Sequence, residues 1–130
     1  MKKLALLLLS FTLLFACKKN TDVNSSLIGN WQLIETLSDP GDGSGTFQAV
    51  TSNKTVTFNA NGTLSSNGDI CNMSIDSNSP TSGTYDTTAT SIAAGCVNAG
   101  IDITYVHNGT ELIIRYPCFE PCWAKYQKVR

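Results

Sequence analysis

Leu27-Ile28-Gly29-Asn30-Trp31-Gln32-Leu33-Ile34-Glu35 is the stretch on which the fold turns. It follows a short polar run, Asn20 to Ser26, and is the first apolar segment beyond the N-terminal leader. In an extended chain Trp31 and Leu33 share one face and Gln32 takes the other, whereas Ile34 breaks strict alternation. The reading is a strand covered on much of both faces, with Trp31 in the core. Gly29, two residues before the tryptophan, has no Cβ, so the chain can turn sharply into the strand or accept another group close by.

Working outward, the chain reads as further short strands. Phe47 to Val50 comes first, then Thr55 to Ala60, where Val56, Phe58 and Ala60 alternate with Thr55, Thr57 and Asn59. That alternation means one buried and one wet face. Asn61-Gly62, Asn67-Gly68 and Asn108-Gly109 carry the residues that tolerate positive φ, and Asn61-Gly62 reads as a two-residue type I′ hairpin turn. Thr63 to Ser65, Ile70 to Ile75, Gly83 to Thr87, Ser91 to Val97, Ile101 to Val106, Glu111 to Tyr116 and Trp123 to Val129 complete the strands. Ser38-Asp39-Pro40-Gly41-Asp42-Gly43-Ser44-Gly45 resists regular structure and reads as a long exposed loop. Its two aspartates lack the spacing and closing glutamate of a calcium loop. No stretch after Ser26 has sustained helical periodicity. Roughly eight to ten strands in about a hundred residues describe an all-β, antiparallel up-and-down barrel of about eight strands.

The N-terminus reads as an address. Met1-Lys2-Lys3 is basic, and the apolar run from Leu4 to Ala16 is too short to span a bilayer as a helix, which marks a signal peptide. It ends in Leu14-Phe15-Ala16-Cys17, which resembles a bacterial lipobox. Residues 1–16 are therefore expected to be a lipoprotein signal peptide, 17–26 an acylated Cys17 with a polar linker, and 27–130 the barrel. More than one acyl chain on Cys17 makes anchoring stable. Lys18 stands where sorting rules would place an aspartate for inner-membrane retention, so the expected site is the cell envelope at the outer membrane. The formal net charge is −1, and without Lys2 and Lys3 seven basic side chains face ten acidic ones. A mildly acidic domain with no basic run is not built for nucleic acid.

Ile28-Gly29-Asn30-Trp31-Gln32-Leu33 resembles the opening motif of lipocalin-like domains in small bacterial lipoproteins. The resemblance continues through Val56 to Leu64, Ser82 to Tyr85, Glu111 to Ile114 and Lys125 to Val129, and so spans most of the chain after Cys17. It implies that Trp31 packs at the closed end of the barrel beneath a basic side chain, for which Lys128, Arg130 and Arg115 are candidates. It also implies a small apolar or amphipathic ligand, lined by Trp31, Phe58, Tyr85, Ile103, Tyr105, Ile114 and Tyr116. The same residues can simply fill the interior of so short a barrel. In that case the protein works through its surface, as a protein-interaction or structural envelope module. The stretch Pro117-Cys118-Phe119-Glu120-Pro121-Cys122-Trp123 would then be the place to look for an exposed apolar patch.

Four cysteines remain beyond Cys17, and an even number in an exported chain implies disulfides. Of three possible pairings, Cys71 with Cys96 and Cys118 with Cys122 are expected, because Pro121 favours a turn between the second pair. A zinc site would need Cys118, Cys122 and the chain's single histidine, His107, together with a fourth ligand, and no metal or other cofactor is expected. His107 reads as a solvated turn residue. No Gly-x-Ser-x-Gly elbow is present and the acids are scattered, so catalysis is not expected. Ser82-Gly83-Thr84-Tyr85 resembles, one residue short, the Ser-Gly-x-x-Tyr loop of lysozyme-inhibiting barrels.

Overall fold

The computed structural model describes residues 26–96 and 102–129, so the leader, Cys17, the linker before Ser26, and Arg130 lie outside the described residues. Among the described residues every regular element is a strand: β1 (Gly29–Ser38), β2 (Gln48–Ala49), β3 (Thr55–Phe58), β4 (Thr63–Ser66), β5 (Thr81–Asp86), β6 (Ser91–Ala93), β7 (Ile103–His107), β8 (Glu111–Arg115) and β9 (Cys122–Lys128). Each of β3 to β9 pairs antiparallel with its neighbour in sequence. The first half of β1 pairs with β3 and its stretch from Trp31 to Ser38 with β9, which closes an eight-stranded up-and-down barrel. The two-residue β2 continues the β3 edge along the second half of β1.

Closure explains why the first strand is the longest. At ten residues it carries β3, β2 and β9 together. Ile34 is where its pattern breaks, and the β1–β9 register shifts between Leu33 and Glu35, as a β-bulge does. The bulge reverses which face is buried. Trp31 and Leu33 point inward before it; after it Leu37 packs on the outside and Glu35 forms an ion pair with Lys125.

The barrel has two unlike ends. At the near end, where β1 starts and β9 finishes, the strands are joined by tight turns at residues 59–62, 87–90 and 108–110. At the far end they are joined by the connections 39–54, 67–80 and 116–121, and the chain leaves β6 at the same end. The near-end turns differ from the two-residue turn expected at Asn61-Gly62. Gly62 (φ +81) and Gly109 (φ +95) are left-handed there, while Asn61 uses its Oδ1 to accept from Thr63 N at 3.1 Å. Thr90, in the third turn, holds a φ of +51 that β-branched residues avoid.

Other expectations need correction at the far end. Ile70 to Ile75 forms no strand but folds across the barrel mouth, with Ile70 fully buried in the core. Phe47 to Val50 contributes only Gln48–Ala49, and Ser91 to Val97 contributes Ser91–Ala93, with Val97 outside the described residues. Of the apolar residues that suggested these strands, Ile70 is in the core and Val50 and Ala94 pack against it, whereas Ile75 is exposed. The disulfides join Cys71 to Cys96 and Cys118 to Cys122, with Cα separations of 5.5 and 6.0 Å.

Candidate functional site

The near end is sealed by a clamp built from β1 and β9. Trp31, opposite Lys128 in the register, is fully buried, and Lys128 Nζ lies 5.3 Å from its ring centroid. Lys128 Nζ also donates to the carbonyls of Ser26 and of Ile28, the latter at 2.9 Å. Trp31 Nε1 donates to Leu27 O at 2.8 Å. Three consecutive carbonyls are thus held by two side chains. A Cβ on Gly29 would sit 2.9 Å from Lys128 Cε, and Gly29 has φ +135, so glycine is what lets the lysine cross. Of the three basic candidates Lys128 takes the capping position, Arg115 stacks 4.8 Å from the Trp123 ring centroid, and Arg130 is outside the described residues. His107 is not a solvated turn residue. Its ring packs edge-on against Trp31 at 5.3 Å, and its Nε2 is buried without a partner.

The far end is plugged by residues 67–76, and a buried lysine organises the plug. Lys54 has no exposed surface, and its Nζ donates to Asp69 O (2.7 Å), Asn72 O (3.0 Å) and Ser74 O (2.8 Å). An ammonium has three protons, and all three find carbonyls. Burial pulls its pKa down to about 8, against the opposing pull of Asp69 and Asp76. Gly68 runs so close to the returning chain that a Cβ would lie 2.3 Å from Asp76 O. Nothing in the sequence around Lys54 signals burial, because a lone lysine before a strand is ordinarily solvated.

Between the two ends the described side chains pack into one core. Trp31, Phe58, Ile103, Tyr105, Ile114 and Tyr116 join one core cluster, and Tyr85 packs on it half-buried with its ring 4.9 Å from that of Phe58. Trp31 and Ile114 have no exposed surface at all, and neither does Tyr126. Two polar atoms are trapped in this core: the hydroxyls of Tyr116 and Tyr126 are buried and have no hydrogen-bond partner. Burial pushes the Tyr126 phenol up to about 12, and burial together with the nearby Tyr126 pushes that of Tyr116 well above the usual range. A shallow groove of about 410 Å³ lies outside this core, at the near end, between Leu27, Thr87, Thr90, Tyr105, Val106 and His107.

The most exposed large apolar side chain named in the described residues is Phe119, which is fully in solvent. It sits in the β8–β9 connection inside the ring closed by Cys118 and Cys122. Cys118 N donates to Tyr116 O (2.9 Å), Tyr116 N to Cys122 O (3.1 Å) and Asp39 N to Pro121 O (2.9 Å), so the loop is braced from three sides. Its neighbour, the 39–45 loop, is itself organised: Asp39 accepts from Gly41 N, Gly43 N and Gly45 N. Those N–H donors, Gly41 first and Gly45 next, hold the Asp39 carboxyl below its ordinary pKa. At the base of the hairpin Trp123 faces Arg115 in the register, and Phe47 lies 6.3 Å from Trp123 with Lys125 Nζ 4.2 Å above its ring.

The Ser82-Gly83-Thr84-Tyr85 segment is not a loop. It lies within β5, with Gly83 against the Ala93 carbonyl. Among the described residues no group of histidine, cysteine and acidic side chains is arranged to hold a metal ion, and no helix is long and apolar enough to cross a membrane. No protein-family model, no curated protein and no solved structure matches this chain.

Proposed function

We propose that this chain is a lipid-anchored envelope protein whose lipocalin-like barrel is a rigid support, and that it acts by presenting the Cys118–Cys122 loop to a protein partner. The observation that carries the reading is Phe119: a phenylalanine wholly in water, on a loop clamped by a disulfide and braced from outside. Exposing such a ring costs solubility, and holding it rigid removes the entropy a partner would otherwise have to freeze. Its surroundings have the composition of an interface hot spot, since Trp123, Arg115 and Phe47 stand at the base of the same hairpin. Glu120 within the ring and Asp42 in the neighbouring loop favour an apolar socket with a basic rim. The lipocalin-like assignment draws support from Lys128 over Trp31. The lipid anchor rests on Leu14-Phe15-Ala16-Cys17.

A photo-reactive phenylalanine analogue at position 119, irradiated in the protein's own envelope, tests the reading. The expected result is one discrete adduct of defined mass, absent when the analogue stands at position 61 in a near-end turn. Failure to form an adduct at 119, or the same smear from both positions, would count against it. Organic extraction of the purified protein supplies a second arm, because a stoichiometric small molecule released on unfolding would restore a ligand carrier in place of an interaction module.

A further inference from the structure

We propose that the near end is the bilayer-facing end of the protein, and that the Trp31–Lys128 clamp sets this orientation by fixing where the anchor segment leaves the barrel. The inference rests on reading Cys17 as acylated, and adds to it a direction. The carbonyls of Ser26, Leu27 and Ile28 are all held by Lys128 and Trp31, so the point of departure is part of the barrel floor and not of a loose arm. Nine residues, 17–25, separate that point from the lipid. Nine residues reach at most roughly 30 Å at full stretch. A ten-residue strand tilted as barrel strands are raises the far end by about 25 Å more.

The surface of the near end agrees. Ile28 and Val129 flank the clamp at this end, Val106 sits beside the adjacent groove, and all three are exposed aliphatic side chains. The acids of the near-end turns are engaged: Asp86 Oδ1 accepts from Thr88 N and Ala89 N, and Glu111 Oε2 accepts from Asn108 Nδ2. Lys128 brings a cation to the same end, and Lys18 and Lys19 follow Cys17 in the sequence. Such an end rests on a lipid surface at little cost in desolvated charge. Phe119, at the opposite end, then points away from the bilayer, which makes a macromolecule beyond the membrane surface its partner and leaves lipid out of reach.

The test uses the acylated full chain, made in a host that processes lipoproteins and reconstituted into phosphatidylcholine nanodiscs carrying a nitroxide headgroup lipid. Amide relaxation at Asn61, Thr88 and Asn108 is expected to be enhanced at least fivefold more than at Phe119 and Asp42. Equal enhancement at both ends, or a larger effect at Phe119, would overturn the orientation. In Lys128→Met the ratio is expected to fall toward one while the barrel spectrum persists, and an unchanged ratio would overturn the role of the clamp. Palmitate labelling of the same preparation separates the two levels: no label removes the anchor and this inference with it, whereas label with equal broadening removes the orientation alone.

Discussion

Single atoms decide more in this barrel than composition suggests. Gly29 is one case, since its φ of +135 and the 2.9 Å approach of Lys128 Cε leave no room for a methyl group. Gly29→Ala should destabilise by about 1–3 kcal/mol, the usual cost of a residue forced into glycine-only backbone space, and should release Lys128 from Trp31. Chemical denaturation checks the first expectation, and the chemical shift of the Trp31 indole N–H checks the second. The Tyr126 hydroxyl is another case. It is buried with no partner, so Tyr126→Phe removes an unsatisfied polar atom and should leave stability at pH 7 unchanged or slightly higher. The alkaline limb discriminates further. Tyr126 has its pKa raised in the folded state to about 12 from 10, so its favourable contribution is complete below pH 10 and is lost as pH climbs through about 12. In Tyr126→Phe the fall in stability between pH 10 and 12 should be shallower, read as denaturation midpoints across that range.

Among the elements, the 67–76 segment departs furthest from its sequence pattern. Ile70 and Ile75 suggest a strand, yet Lys54 gathers the carbonyls of residues 69, 72 and 74 around one ammonium and leaves none of them free for a ladder. Lys54→Met keeps the stem and removes the donors. Each part-buried carbonyl left without a donor costs up to about 1–3 kcal/mol, offset by the charge no longer buried, and a net loss of roughly 1–3 kcal/mol is expected. Hydrogen exchange should show the loss concentrated in residues 67–76, with β7 to β9 protected as before. The pH dependence has its own sign. The Lys54 pKa is depressed in the folded state to about 8, so between pH 8 and 10.5 the unfolded chain holds the extra proton and stability rises with pH. That rise should vanish in Lys54→Met. The strands themselves were readable because period-two alternation survives wherever one face is buried, as in β3 and β8. The plug was not, because its order comes from a side chain thirteen or more residues away that makes no local pattern.

Among the described residues the closed barrel carries both disulfides at its far end. Cys71–Cys96 spans 25 residues and ties the plug to the β6–β7 connection, while Cys118–Cys122 spans four and constrains one loop. Loop-closure entropy assigns about 3.5 kcal/mol to the first and about 2 kcal/mol to the second. Replacing Cys71 and Cys96 by serine should therefore lower the thermal midpoint more than replacing Cys118 and Cys122, as calorimetry of the two double variants would show. The short bridge then reads as a holder for Phe119 more than as a staple for the fold.

By itself the sequence determined the strand-rich class, the glycine turns at Asn61-Gly62 and Asn108-Gly109, the tryptophan that opens the barrel and a turn between Cys118 and Cys122. These are local facts: alternation, glycine in turns, and a proline between two cysteines all act over a few residues. Only the tertiary structure decided that Lys128, not Arg115, crosses Trp31, that Lys54 is buried and that Phe119 stands fully in water. Each of these depends on which residues closure brings together from distant parts of the chain. Strand pairing across about a hundred residues is set by the packing of the whole core, and no window of the sequence contains it.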